Sequence, residues 1–466
     1  MIESLLTLAL AAQPDPIRLD GQFHDWGPVP AAAGIVGEGS AAHVYLLLTL
    51  AGPPGNLQGL EAPLELHLDW DNNADTRISS AEDMGTDLVI TFSPDQGQRH
   101  GGIEVTTAKQ GTSTWDSIGL AFAPTTAANR FEIAIPRTLQ DGITAGDTVA
   151  WKVTGCPQGP LRGVAATKAQ RPAPTPISGL LGPADDHHVR VVSWNLEFGN
   201  ILHQRSVVQR LLATLQPHVI LMQEIEHDQS AEEILEVLRA AVPDADWTID
   251  LGPLGGTIRS GIASRIPCRS VPAFDRLKRR GESRGHVRAA ALVLDVDGVG
   301  DVLAVSAHLK CCGVVDGPED LKRIGEVLAI RRAVAEAEAA SDVHGLIVGG
   351  DLNLVGGTLP LDLLIAKGEG LIAADDSPAD LHVVDTWQPD GSGMQTWQEA
   401  GQAYAPGRLD FIVISGSSLT AARGFVLDTL DLPESDLAPH RLVRTDAGRA
   451  SDHLPVVVDL MRANAP

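Results

Sequence analysis

Six short segments carry the side chains able to do chemistry in this chain. They are Ser193-Trp194-Asn195-Leu196-Glu197, Gln223-Glu224, Ala307-His308-Leu309, Gly349-Gly350-Asp351-Leu352-Asn353, Arg408-Leu409-Asp410-Phe411 and Ser451-Asp452-His453-Leu454-Pro455. Taken singly, an Asn or Asp at a strand end is usually a turn former. Together the six supply carboxylate and amide oxygens and two imidazoles at points where apolar runs begin or stop, which is where ligands converge. A hard divalent cation prefers such oxygens and neutralises charge on a phosphoryl group during in-line attack. A carboxylate beside a histidine keeps one ring nitrogen aimed at the substrate.

The elements that must position these groups can be read from periodicity. Val189–Trp194, His218–Gln223, Asp301–Leu309, Gly345–Gly350, Leu409–Ile414 and Leu454–Leu460 are short apolar runs of the buried-strand type. Helical spacing lies between them. Val207, Val208, Leu211, Leu212 and Leu215 form one face; Ser230 with Glu233 makes a capping box before Ile234, Leu235 and Leu238; Pro318 opens a third helix through Leu321, Ile324, Val327 and Leu328. This predicts an α/β region over residues 187–462. The first half instead alternates in steps of two, at Leu64, Leu66, Leu68 and Trp70, at Phe131, Ile133 and Ile135, and at Val149, Trp151 and Val153, which predicts an all-β sandwich over residues 15–156. Six prolines from Pro157 to Pro183 predict a stiff, extended linker over 157–186.

In order and spacing, the motifs W-N-x-E, Q-E, H-L, G-D-x-N, R-L-D-F and S-D-H-x-P resemble the endonuclease/exonuclease/phosphatase superfamily over roughly residues 187–462. The resemblance implies a four-layer α/β/β/α sandwich of two packed mixed sheets, with a Mg²⁺- or Mn²⁺-dependent site at one end of the sheets. It makes Glu224 the main metal ligand, Asn195 the residue that orients that ligand or the phosphate, Glu197 a second acid and Asp452 the completion of the acidic cluster. It has Asp351 position or deprotonate the attacking water and Asn353 hold water or a phosphoryl oxygen. His453 would bind phosphoryl oxygens with Asp410 fixing its tautomer, and His308 would contact the phosphate and protonate the leaving oxygen. Whether His453 or Asp351 is the base differs within the family, and spacing leaves both open.

Substrate choice rests on thinner signals. Arg276, Lys278, Arg279, Arg280, Arg284 and Arg288 form the one strongly basic island in a chain of net charge −25. Read functionally, Arg279, Arg280, Arg284 and Arg288 grip phosphates beyond the scissile one; read structurally, the run is a solvated loop. In the first half, Asp71, Asn73, Asp75, Ser79 and Glu82 fall at positions 1, 3, 5, 9 and 12 of a calcium-type loop, with Thr76 where such loops want glycine. With Ile17–Gly21 and Asp25-Trp26, residues 15–155 resemble the sugar-binding sandwiches of the family 9 carbohydrate-binding type, which implies a glycan ligand.

Composition bounds these readings. The chain has 466 residues, 44% hydrophobic and 20% charged, enough for two or three domains with their own cores. The acidic balance excludes a whole-surface nucleic-acid or membrane binder, so phosphate recognition must be local. No apolar run reaches the roughly 20 residues that span a bilayer. Cys156, Cys268, Cys311 and Cys312 lack C-x-x-C spacing, which argues against structural zinc; the adjacent Cys311-Cys312 read as reduced core thiols rather than a vicinal disulfide. Residues 1–12 read as a short signal-peptide core with an Ala9-x-Ala11 cleavage site but no Lys or Arg before it, and predict a secreted, periplasmic or cell-surface location. The expected function is a metal-dependent phosphoesterase, nucleic acid its leading substrate, against a phosphatase or phospholipase-type diesterase on phospholipid, inositol phosphate or sugar phosphate. A surface glycan-binding protein with an inert second domain is the alternative of another class.

Overall fold

The computed structural model describes residues 14–28, 32–78, 85–95, 101–156, 159–282, 285–366 and 381–463. Residues 1–12, Ser79, Glu82 and Arg284, which the sequence singles out, lie outside them.

The N-terminal region is an all-β sandwich. One sheet orders the strands Ala169–Arg171, Gly34–Ser40, His43–Thr49, Arg130–Pro136 and Ala121–Ala123; the other orders Leu161–Ala166, Thr148–Thr154, Leu64–Asp69, Leu88–Phe92, Ile103–Thr107 and Gly111–Ser113. The two-residue alternation does what it predicts. Leu64, Leu66 and Leu68 are buried against Leu46, Leu48, Phe122 and Ile133 of the facing sheet, while Glu65, His67 and Asp69 turn outward.

The linker expected over 157–186 is only partly a linker. Leu161–Ala166 pairs antiparallel with Thr148–Thr154 in register from Leu161↔Val153 to Ala166↔Thr148. Ala169–Arg171 closes the other sheet. The first of these edge strands turns Leu161 and Ala165 toward the core and Gly163 toward the Trp151 indole, so only one of its three inward positions is a large apolar residue and little alternation is left to read. Residues 172–182 then run over the C-terminal region, where the Ile177 N–H donates to Pro389 O at 2.8 Å and Leu180 is buried.

The C-terminal region has four layers. One mixed sheet orders Thr248–Leu251, Ile258–Ser264, Val219–Glu226, Val189–Asn195, Val456–Arg462 and Leu419–Val426; the second orders Cys268–Ser270, Arg288–Val296, Gly300–His308, Gly345–Asp351, Asp410–Ser415 and Leu381–Val383. Val191, Leu221, Ile262, Leu292, Ile347 and Val458 fill the space between them. The helices Arg205–Leu215 and Ala231–Ala241 cover the first sheet, and Pro318–Ala340 covers the second. Ser230 and Glu233 form the expected capping box.

Two consecutive glycines permit close approach here, one between the sheets and one between neighbouring strands. A Cβ on Gly349 would lie 2.6 Å from the Leu221 side chain of the opposite sheet, and one on Gly350, at φ +148°, would lie 1.8 Å from Ala307 O. No larger residue fits there, which is the physical content of the G-G-D-x-N motif.

Among the described residues no helix is long and apolar enough to cross a membrane. The adjacent cysteines are not core thiols. They follow the Gly300–His308 strand on a surface loop, Cys311 half-buried and Cys312 exposed, with their sulfurs 3.0 Å apart.

Candidate active site

Strand register assembles the site. Arg288, His308, Asp351 and Asp410 are cross-strand neighbours in turn, so one rung of the second sheet carries all four. On the facing sheet Asn195 sits opposite Gln223. Register then slips between Met222 and Ile225, and Glu224 takes φ +60°. That bulge turns the Glu224 carboxylate out of the ladder. The loop Leu196–Gly199 wraps it, with Glu197 and Phe198 also at positive φ and the Phe198 N–H donating to Glu224 Oε2 at 3.0 Å. These three left-handed positions, each costing on the order of 1 kcal/mol or more, are held by the surrounding packing.

The two halves meet at Asn195. Its fully buried amide donates to Glu224 Oε1 at 3.1 Å and to Asp351 Oδ2 at 3.0 Å, while its Oδ1 accepts the Glu197 N–H at 3.1 Å. His308 Nε2 lies 3.5 Å from Asp351 Oδ2 and 3.8 Å from Glu224 Oε1. On the other side, His453 Nδ1 lies 2.8 Å from Asp410 Oδ2 and its Nε2 3.8 Å from Asp351 Oδ2. Glu224, His308 and Asp351 thus form one cluster and Asp351, Asp410 and His453 another, sharing Asp351. Asn353, at φ +49°, donates from its side chain to Asp351 Oδ2 at 2.9 Å and to Leu309 O at 3.2 Å.

Glu197 and Asp452 stand beside these clusters rather than within them. The Asp452 N–H donates to Glu197 Oε2 at 3.2 Å, and Asp452 Oδ2 accepts the Trp397 indole N–H at 2.8 Å. The basic island divides. Arg288 Nη2 donates to Leu309 O at 2.7 Å, next to His308. Arg279 is taken up by an ion pair with Glu282 and lies over Gly325 of the long helix. Arg276 and Arg280 are exposed. In the sandwich, Asn73 Oδ1 caps the turn Ala74–Thr76 and Asp75 is exposed; the later positions of the expected calcium loop, Ser79 and Glu82, lie outside the described residues, and Asp71 converges with Asp69 and Asp87.

Charge states follow from burial and neighbours. Burial pushes the Asp351 carboxyl up to about 7 despite the nearby His453. Burial alone would strip the charge from His453, yet Asp410 and Asp351 together carry it up to about 10. His308 has no such compensation. Burial first, then Arg288, His453 and Lys310, hold it well below the usual histidine range, and its Nδ1 has no partner. Burial and then Asp452 raise the Glu197 carboxyl. The converging donors are carboxylate oxygens and imidazole nitrogens with no thiolate among them, a set that fits a hard divalent cation. Glu224 would hold such an ion, with Asn195 spanning from it to Asp351.

Residues 192–453, more than half the chain, match the Endonuclease/Exonuclease/phosphatase family. The chain belongs to that family. It is therefore a metal-dependent hydrolase of phosphate esters. Among solved structures it is similar to the 3′-5′ exonuclease of Neisseria meningitidis (17% identity, 59% of this chain and all of the other covered, TM-score 0.38). It is also similar to D. rerio TDP2 complexed with a single-strand DNA product (13%, 59% and 99%, TM-score 0.38). A third is ANGEL2, a 2′,3′-cyclic phosphatase (14%, 59% and 95%, TM-score 0.40). No curated protein matches the chain.

Several supporting groups of this family member escape a reading of the sequence. Thr396 Oγ1 donates to Asp410 Oδ2 at 2.7 Å, and Trp397 reaches Asp452 from a loop without periodicity. Nothing in the local sequence marks either. Ser451 lies inside the S-D-H motif and is legible there: its hydroxyl donates to Asn195 O at 2.8 Å and accepts the His453 N–H at 3.0 Å, joining the last segment to the first.

Proposed function

We propose that the chain is a Mg²⁺- or Mn²⁺-dependent phosphodiesterase acting on nucleic acid. The observation that supports this reading is the shared-Asp351 pair of clusters, with Arg288 next on the same rung and exposed Arg276 and Arg280 just before it in the chain. The bound cation would withdraw charge from a phosphoryl oxygen during in-line attack. Asp351, fixed by Asn195 and Asn353, would take a proton from the attacking water. His453, charged between Asp410 and Asp351, would hold a phosphoryl oxygen by a charge-assisted hydrogen bond. His308 is kept neutral, so it acts as a hydrogen-bond donor at the phosphate and not as a strong acid. Arg288 would hold the flanking phosphate.

The test is a substrate panel of plasmid DNA, RNA, sphingomyelin, inositol phosphates and aryl phosphates, assayed with EDTA and after addition of Mg²⁺ or Mn²⁺. Cleavage of DNA or RNA that EDTA abolishes and Mg²⁺ or Mn²⁺ restores is the expected result. A preference for a phosphomonoester or a lipid would replace the proposed substrate, and full activity in EDTA would overturn the proposed mechanism.

A further inference from the structure

A second set of carboxylates converges far from this chemistry, on the N-terminal sandwich. Asp69 ends the Leu64–Asp69 strand, Asp71 lies two residues on, and Asp87 precedes the neighbouring Leu88–Phe92 strand. One carboxylate oxygen from each lies within 4.8 Å of the others. Asp87 is wholly buried. Its Oδ1 accepts the Trp70 N–H at 2.9 Å, but its Oδ2 has no partner, and neither has the buried Oδ1 of Asp69. Among the described residues none of the three pairs with a lysine or arginine.

A native fold rarely leaves a buried carboxylate oxygen unpartnered. Here two are left so, on two acids of one cluster that a third acid completes. A bound cation would satisfy both free oxygens and the mutual repulsion at once. We propose that Asp69, Asp71 and Asp87 bind one Ca²⁺ ion. The donors are all hard oxygens, without the imidazole or thiolate that zinc and copper favour. They come from one strand end, one turn and one strand start, an irregular set that Ca²⁺ accepts with water filling six to eight positions; Mg²⁺ demands a near-ideal octahedron. The ion ties two adjacent strands through their ends. This site differs from the twelve-residue loop read from the sequence. Only Asp71 is common to both, while Asp69 and Asp87 come from outside the loop.

The test uses the full chain carrying Glu224→Gln, which weakens cation binding at the catalytic site. Trp70 lies between Asp69 and Asp71 and hydrogen-bonds Asp87, so it should sensitise Tb³⁺ placed among them. Saturable Tb³⁺ emission on tryptophan excitation, displaced by Ca²⁺, is expected. Ca²⁺ at a hundredfold excess over its Kd should raise Tm by roughly 5–10 °C. Asp71→Asn and Asp87→Asn should each weaken binding by roughly tenfold or more. Asp71 is half-exposed, so its variant decides the matter even where the Asp87 variant fails to fold. In EDTA the Asp71 variant should be at least as stable as its parent, because a like charge has gone. Absence of any Ca²⁺-dependent rise in Tm would overturn the proposal. So would Tb³⁺ emission that persists in Asp69→Asn and Asp71→Asn.

Discussion

Asp410 Oδ2 accepts the Thr396 hydroxyl at 2.7 Å and faces His453 Nδ1 at 2.8 Å, so a neutral group supports the carboxylate that orders the imidazole. The Leu409 and Asp410 N–H groups both donate to Thr396 Oγ1, at 3.0 and 2.9 Å, which leaves the hydroxyl proton only the carboxylate to bond. Orientation of His453 Nε2 toward Asp351 therefore depends on a chain of three side chains. Asp410→Asn keeps the shape but removes the charge that sustains the imidazolium. It should lower kcat by roughly two to four orders of magnitude and move the alkaline limb of the pH–rate profile to lower pH, with Tm almost unchanged. Thr396→Val should cost roughly tenfold in kcat, the size of one charge-assisted bond, with KM unmoved. Steady-state kinetics on an aryl phosphodiester checks both. Wild-type kcat in Asp410→Asn would show that His453 needs neither the charge nor the orientation that Asp410 supplies.

At the scale of elements, what the sequence reveals depends on how an element is buried. The central strands of the C-terminal region are covered on both faces and read as continuous apolar runs; Val219–Glu226 and Gly345–Asp351 appear within a few residues of their predicted ends. Every candidate segment at their tips could be located for the same reason. Edge strands such as Leu161–Ala166 carry small or exposed residues and leave no pattern. The bulge at Glu224 and the seat of Thr396 depend on contacts between distant segments, which no local spacing encodes. Packing at one strand start also makes a pH-dependent device. His218 precedes the Val219–Glu226 strand, and its Nδ1 accepts the Arg190 N–H at 2.9 Å. Burial, with Arg265 and Arg190, holds it down at about 4. Between the ordinary histidine value and that one, the unfolded chain takes up a proton that the folded chain refuses. The contribution is thus full above about pH 6.5 and is lost as pH falls toward 4, on the order of 2 kcal/mol between pH 7 and 5. Urea unfolding at those two pH values should show this fall in the wild type. In His218→Asn, whose amide oxygen replaces the accepting nitrogen, the fall should be smaller; an equal fall would assign the effect to other groups.

Across the whole molecule, the sandwich is joined to the loops that frame the active site. Asn56 donates from its side chain to Thr125 O and to Val355 O, both at 2.6 Å, two residues beyond Asn353. The Ala405 N–H donates to Gln58 Oε1 at 2.6 Å, and the Leu19 N–H to Ser392 O at 2.8 Å. Asn56→Ala strips a partner from two carbonyls. It should cost about 1–3 kcal/mol of stability and, by loosening the loop after Asn353, roughly tenfold in kcat; thermal unfolding and kinetics on one preparation would test the link. Charge is the second whole-molecule property. With a net −25 the surface repels polyanions on average, so a nucleic-acid substrate needs a local basic path, for which the exposed Arg276 and Arg280, preceding Arg288 in the chain, are the proposed residues. Each phosphate they engage releases condensed counterions, so log(kcat/KM) for DNA should fall steeply with log of salt concentration. In the double variant Arg276→Gln/Arg280→Gln the slope should become shallower by about one for each phosphate no longer engaged, and KM for DNA should rise at low salt. A small aryl phosphodiester reaches only the metal centre, so its kinetics should stay the same in both proteins. Equal DNA kinetics and an equal salt slope in wild type and variant would remove these arginines from the substrate path and favour a small phosphate ester over a polymer.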